Sequence, residues 1–250
     1  LNVAGVVAAL DREARTLGPA VEGSAGFGTL AGGTLRAVSG MGCAAAGMAA
    51  RRLVDAGATA LVSWGLAGGL DPELEAGAIC LPREVVAPDG VRFAAAASWR
   101  ETLMASVVSS RPVTSGALLT SLYPLAGVAA KAAARRDSGA VAVDMESSAV
   151  AEVALACRLP FLAVRVIVDT ALDAIPASVT VAAGASGEMR IGRLLLGLAR
   201  SPREIMPLAR LARCYGAAIR SLRAVAALDR MAPPAGAGHD GGGRFTRGRA

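Results

Sequence analysis

Four carboxylates stand where apolar runs stop. Glu13 follows Val3–Leu10, Asp144 and Glu146 follow Val141-Ala142-Val143, and Asp169 closes Phe161–Val168. Runs of this kind suit strands buried on both faces, and open α/β sheets bind ligands beyond the C-terminal ends of their strands. A carboxyl group at such a place loses hydration, its pKa rises, and it becomes fit for general acid or base work. A glycine cluster, Gly65, Gly68 and Gly69, follows the run Thr59–Trp64. It lacks the G-x-G-x-x-G spacing of a dinucleotide site. Residue type alone leaves other roles open. Asp169 also fits a buried structural acid, Glu13 a first-turn acid favoured by the helix dipole, and Asp144 is read first as a cap for the next helix.

Strands and helices in alternation must position these groups. Val3–Leu10 reads as a strand leading into a helix begun near Asp11. Gly23–Gly33 is turn-rich, Thr34–Ser39 a strand, and Gly40-Met41-Gly42 a tight link into an Ala-rich helix running to about Ala56. Thr59–Trp64 is a strand ending at the glycine cluster, and Ala78–Leu81 a short strand. Strand fragments near Val91, a helix over Trp99–Val108, a strand over Gly116–Thr120 and a helix over Leu125–Arg136 come next. Ser147 opens an Ala-rich helix with Glu152 and Arg158 on its polar side, so residues 140–173 read as one strand-helix-strand unit. Helices over Val179–Ala199 and Arg203–Leu228 flank Ser201-Pro202. We read residues 1–230 as one domain, with 186–230 a basic helical extension and 231–250, rich in Pro and Gly, a disordered tail.

A chain of 250 residues with 54% hydrophobic content can bury a substantial core, and 3% aromatics means packing through small side chains. Lys131 is the only lysine. Residues 1–185 carry 14 basic and 16 acidic side chains, whereas nine arginines in residues 186–230 face three acids. The basic quarter points to a local anionic neighbour rather than to a nucleic-acid wrapper. Cys43, Cys80, Cys157 and Cys214 are scattered without metal-ligand spacing, as free thiols in a reducing cytoplasm would be. The single histidine, His239, lies in the tail, which excludes Ser-His-Asp catalysis and a multi-His metal site in the folded part. Leu1–Leu10 has no basic leader and runs into Asp11-Arg12-Glu13, so we expect no signal peptide and a soluble, cytoplasmic chain.

Four separated motifs resemble the nucleoside phosphorylase/nucleosidase family. They are Gly40-Met41-Gly42, SWGLAGGLDPELEAGAI (Ser63–Ile79), VDMESSAVA (Val143–Ala151) and VRVIVDTA (Val164–Ala171). The likeness spans roughly Val3–Ala199, and the basic extension is most similar to the hopanoid-associated phosphorylase branch. The resemblance implies an α/β three-layer sandwich whose mixed, partly barrel-like central sheet is flanked by helices, and a homo-oligomer. It implies cleavage of the N-glycosidic bond of an adenine nucleoside, with no cofactor and with water or phosphate as co-substrate. Asp169 would protonate N7 of the purine, and Glu146 would grip the ribose hydroxyls. Glu13 matches the carboxylate with which nucleosidases activate water, where related phosphorylases place a phosphate-binding Arg. Met41, Gly42 and Met145 would lie by the sugar, Leu66, Ala67 and Gly68 in the glycine loop, and Tyr123 near the base, although packing is the plainer reading of Tyr123. Leu66 and Val168 replace hydroxyl residues of the family pattern. The pocket becomes greasier, as a bulky apolar 5′ substituent such as a lipid would require.

Carboxylate at position 13 favours water as nucleophile, since it would repel phosphate; Arg12, Arg15, Arg36 and Arg51 remain as alternative phosphate contacts. Arg190, Arg193, Arg200, Arg203, Arg210, Arg213, Arg220, Arg223 and Arg230 recur at spacings of three and seven among Leu, Ile and Val. Such helices present either a solvated face or a peripheral contact with an anionic membrane, worth about 1 kcal/mol per well-placed Arg. No aromatic residues interleave with the arginines, so nucleic acid is not an expected partner.

Overall fold

The structure is a computed structural model that describes residues 2–24, 26–107, 112–175, 202–228 and 231–234. In chain order the strands and helices are β1 (Ala4–Ala8), α1 (Asp11–Ala14), β2 (Ala20–Ser24), β3 (Phe27–Leu30), β4 (Leu35–Val38), α2 (Cys43–Asp55) and β5 (Ala60–Gly69). Next come β6 (Ile79–Cys80), β7 (Glu84–Val86), β8 (Arg92–Ala94), α3 (Ala97–Val107), β9 (Val113–Thr114), β10 (Leu118–Thr120) and α4 (Val128–Ser138). The last are β11 (Ala142–Asp144), α5 (Ser147–Ala156), β12 (Phe161–Asp169) and α6 (Ile205–Ala226).

Among the described residues the strands form one mixed sheet branched around β5. Strands β1 and β12 flank β5 in parallel, while β11 meets its C-terminal half in the antiparallel sense. β12 also pairs with β6, and β6 with β9. Side chains alternate across the sheet with period two. In β12, Phe161, Ala163 and Ile167 join the apolar cluster under α2 and α5, with Leu53, Val150 and Val153. Leu162, Val164 and Val166 join the opposite cluster with Trp64, Trp99, Leu103 and Leu222, under α3 and α6. The result is a three-layer sandwich. Trp64 and Trp99 are both fully buried, and each contributes on the order of 2–3 kcal/mol through lost apolar hydration. The indole N–H of Trp64 donates to Thr16 Oγ1 at 2.9 Å, so the ring is buried without an orphaned donor.

Three expectations change. Residues 23–33 are not turns alone, because β2 and β3 pair as an antiparallel hairpin there. β5 does not stop at Trp64; it runs through the glycine cluster to Gly69, which the missing side chains had disguised. Residues 140–173 do form a strand-helix-strand unit, β11-α5-β12, with β11 running against β5 and β12 along it. Met231, placed by composition at the start of the tail, is buried in the α3/α6 cluster. The helix over Val179–Ala199 and the chain after 234 lie outside the described residues.

Candidate active site

The extension of β5 past Trp64 builds the site. Gly68 is paired with Val143 of β11 on one side and with Asp169 of β12 on the other. A Cβ at Gly68 would come within 3.3 Å of Val143 and 3.4 Å of Asp169 Oδ2, so glycine lets the carboxylate lie against the strand. The register of β12 shifts between Ile167 and Asp169, a bulge that re-aims the strand end.

Around this strand lies a cavity of about 280 Å³. Glu13, Glu146 and Asp169 all line it, with Asp144, Met41, Met145, Leu66, Ala67, Gly68, Val168, Ile175 and Tyr123. Tyr123 is at the rim, 75% exposed, and is therefore not the packed core residue its type suggested. Gly42 is not in the lining; its backbone N–H instead donates to Glu146 Oε1 at 2.8 Å. That carboxylate is thereby fixed by a residue 104 positions away, at the turn before α2. Arg12, Arg15, Arg36 and Arg51 are absent from the lining among the described residues. Arg36 is buried elsewhere and donates to the carbonyls of Ala14 and Gly18.

Each carboxylate is held differently. Glu13 closes the first turn of α1: its Oε2 accepts the Leu10 N–H at 3.0 Å, and its Oε1 accepts the Leu66 N–H at 2.8 Å. Asp144 caps α5 by accepting the Ser147 N–H at 3.1 Å, accepts the Thr120 hydroxyl at 2.9 Å, and pairs with Arg165 at 2.7 Å. Asp169 accepts a hydrogen bond from the Lys131 ammonium, which also donates to the carbonyls of Thr170 at 2.8 Å and Asp173 at 2.9 Å. Lys131 and Arg165 went unremarked in the motif reading. The signal for Arg165 was available, since a guanidinium inside the buried run of β12 requires partners. Lys131 offered less, being one charge on an Ala-rich helix.

Arg165 lies four residues before Asp169 in β12, ahead of the bulge, and is 1% exposed. Its Nη2 donates to Ser63 Oγ at 2.6 Å and to Ser147 Oγ at 3.1 Å, and Glu146 Oε2 lies 4.0 Å away. Burial opposes its charge, but Asp144, Glu146 and Glu13 outweigh that and hold it protonated. Burial also dominates the acids. Glu13 is pushed up by desolvation, against the pull of Arg165. Glu146 is pushed up to about 7 by desolvation and by Asp144. Asp169 is raised by desolvation, with Lys131 opposing. The cavity thus gathers carboxyl groups whose proton affinity burial raises, Glu146 to near neutrality, and which when ionised favour a positive centre between them. Among the described residues no His, Cys, Asp and Glu side chains group to hold a metal ion.

The phosphorylase superfamily model matches residues 5–197. No curated protein matches the chain significantly. Among solved structures, the 5′-methylthioadenosine/S-adenosylhomocysteine nucleosidase of Neisseria meningitidis, in complex with methylthio-immucillin-A, superposes with a TM-score of 0.63. It is 20% identical, over 90% of this chain and 99% of that one. A Helicobacter pylori nucleosidase mutant with 5′-methylthioadenosine in the active site gives 0.66 at 14% identity, over 90% and 98%. Futalosine hydrolase of Helicobacter pylori gives 0.62 at 16%, over 80% and 97%. At these identities the likeness is one of fold.

Proposed function

The chain belongs to the phosphorylase superfamily, and from that premise we propose that its cavity cleaves the N-glycosidic bond of a 5′-substituted adenosine with water as nucleophile. The observation that carries this reading is the convergence of Glu13, Glu146 and Asp169 on one cavity from three distant points of the chain. Cleavage passes through a ribosyl cation, so the base must leave protonated and the sugar must be electrostatically supported. Asp169, whose proton affinity burial raises, protonates the purine. Glu146, held by Gly42, accepts from the ribose hydroxyls and stabilises the developing charge. Glu13 takes the proton of the attacking water. Its two backbone hydrogen bonds fix both oxygens, which is what a base needs to hold one trajectory.

Water is favoured over phosphate by charge. A phosphate would enter a buried space already holding Glu13, Asp144 and Glu146 against Arg165, whose Nη2 is engaged by Asp144. The apolar lining, Leu66, Val168, Met41 and Ile175, suits a bulky apolar 5′ group, and a lipid-linked adenosine such as adenosylhopane is the substrate that the motif resemblance implies. Methylthioadenosine and adenosylhomocysteine are the alternatives, as are phosphorolysis and a catalytically silent nucleoside-binding module. The exposed Met48, Leu122 and Tyr123 suit a homo-oligomer. Helix α6 buries Ala218, Leu222 and Val225 and turns Arg213, Arg220 and Arg223 outward, as peripheral contact with an anionic membrane requires. No described helix is long and apolar enough to cross a membrane.

Free adenine is the readout, from adenosine, methylthioadenosine and a lipid-linked adenosine, each with and without phosphate. Strict phosphate dependence would overturn water as the nucleophile, and unchanged turnover in Asp169→Asn would overturn catalysis by this cavity. Absence of binding to anionic vesicles at low salt would remove the membrane contact.

A further inference from the structure

Lys131 is the chain's only lysine and is fully buried. Burying an ammonium is costly unless its charge is paired and its donors are used. Here all three donors have acceptors: the Asp169 carboxylate through Oδ2, and the carbonyls of Thr170 and Asp173. Two of those acceptors are ordinary main-chain groups that a tether for the 169–175 loop would need. The third is the carboxylate that lines the cavity. We infer that Lys131 is a positioning residue for Asp169: it occupies Oδ2, leaves Oδ1 to carry the proton toward the base, and balances the carboxylate charge once that proton has gone. The inference rests on the reading of Asp169 as the acid.

In the step itself, the Oδ1–H bond breaks as the purine N–H bond forms. The electron pair of the glycosidic bond goes to the leaving base, and Asp169 is left anionic beside the ammonium. The water oxygen bonds to the anomeric carbon in place of the base and Glu13 holds the proton it gives up, so charge and atoms balance. A nearby cation makes Asp169 a stronger acid, and burial makes it a weaker one; burial is the larger effect, so its proton affinity lies above that of an ordinary aspartate while the ammonium eases release of the proton. The other charges around it do not replace the ammonium. Asp173, on the same loop, accepts from the Thr170 N–H and hydroxyl through Oδ2 and pairs with Arg210 of α6 through Oδ1 at 3.1 Å. Arg213 of α6 lines the neighbouring cavity behind Asp169. Glu13, Asp144 and Glu146 line the nucleoside cavity with Asp169, and Arg165 is bound to Asp144.

One lysine gives one signal. With ¹⁵N in the lysine side chain, the Nζ resonance of the wild-type protein should show an inflection at the pH where adenine release falls on the alkaline side, and Asp169→Asn should abolish that inflection. Lys131→Gln, checked for folding by circular dichroism, should lower adenine release about 10- to 100-fold and move the alkaline limb of kcat/KM to higher pH, with Lys131→Arg recovering part of both. A flat Nζ signal across the titration overturns the inference. So does a Lys131→Gln variant that loses turnover with its pH limb unmoved, because a plain tether would behave that way. Absence of adenine release from every nucleoside tried would remove the catalytic reading of the cavity. The Nζ titration would still report whether Lys131 senses the Asp169 proton.

Discussion

The Glu13 carboxylate and the Arg165 guanidinium converge on Gly65: a Cβ there would sit 2.6 Å from Oε1 of the one and 2.4 Å from Nη1 of the other. Neither side chain is free to retreat. Glu13 is held by Leu66 and Leu10, and Arg165 by Asp144, Ser63 and Ser147. Gly65→Ala should therefore cost about 1–3 kcal/mol of stability through overpacking. By displacing the base it should lower adenine release about 100-fold. Thermal melts and adenine assays on the same preparation check both, and near-wild-type turnover would show that Glu13 and Arg165 need not keep their places.

Arg165→Met should destabilise the protein by about 3–5 kcal/mol, because Asp144 is left as an uncompensated buried charge. Adding Asp144→Asn should restore part of that loss, since the amide still meets the Thr120 hydroxyl without carrying charge. Urea unfolding of the single and double variants measures the difference. If the second substitution makes matters worse, Asp144 contributes mainly as a cap for α5 and not as the counter-ion.

Glu146 gives a pH dependence with a definite sign. Its folded pKa of about 7 lies above the ordinary 4.5, so between those values the folded state binds more protons than the unfolded one. Its contribution to stability is greatest below the lower value and is lost as pH rises through the upper one, on the order of 3 kcal/mol. Glu13 and Asp169, both raised, act in the same direction. Glu146→Gln should flatten the fall in unfolding free energy between about pH 5 and about pH 8, and should weaken nucleoside binding most at the higher pH, where the wild-type carboxylate is ionised. Denaturation at several pH values tests the first part, and an unchanged slope in the variant would mean that the burial cost lies elsewhere.

The three carboxylates were legible because each ends an apolar run, and strand ends are where an α/β sheet exposes polar groups. The glycine loop was legible as a motif but not as structure. Gly65–Gly69 carries too few side chains to display a period of two, so the continuation of β5 went unseen. The hairpin of β2 and β3 was hidden for a related reason: Ala20–Ser24 is mostly exposed and shows no apolar stripe. Arg165 and Lys131 are a different kind of omission. Each neutralises a carboxylate supplied from another element, 21 positions away for Asp144 and 38 for Asp169. Only the folded register brings those pairs together.

The Lys131–Asp169 pair makes a stability prediction that does not depend on catalysis. Both side chains are buried, at 1% and 7% exposure, so removing either charge leaves the other without its partner in a poorly hydrated place. Asp169→Asn, the natural choice for an inactive variant, should lose about 3–5 kcal/mol, and Lys131→Met a similar amount. The double variant should be more stable than either single one, because a methionine beside an asparagine leaves no isolated charge and the apolar stem still fills the space along α4. A double-mutant cycle by urea unfolding yields the coupling energy directly. Simple additivity of the two losses would mean that the ammonium is sustained by the Thr170 and Asp173 carbonyls alone. In that case the carboxylate at position 169 would stand by itself against the cavity.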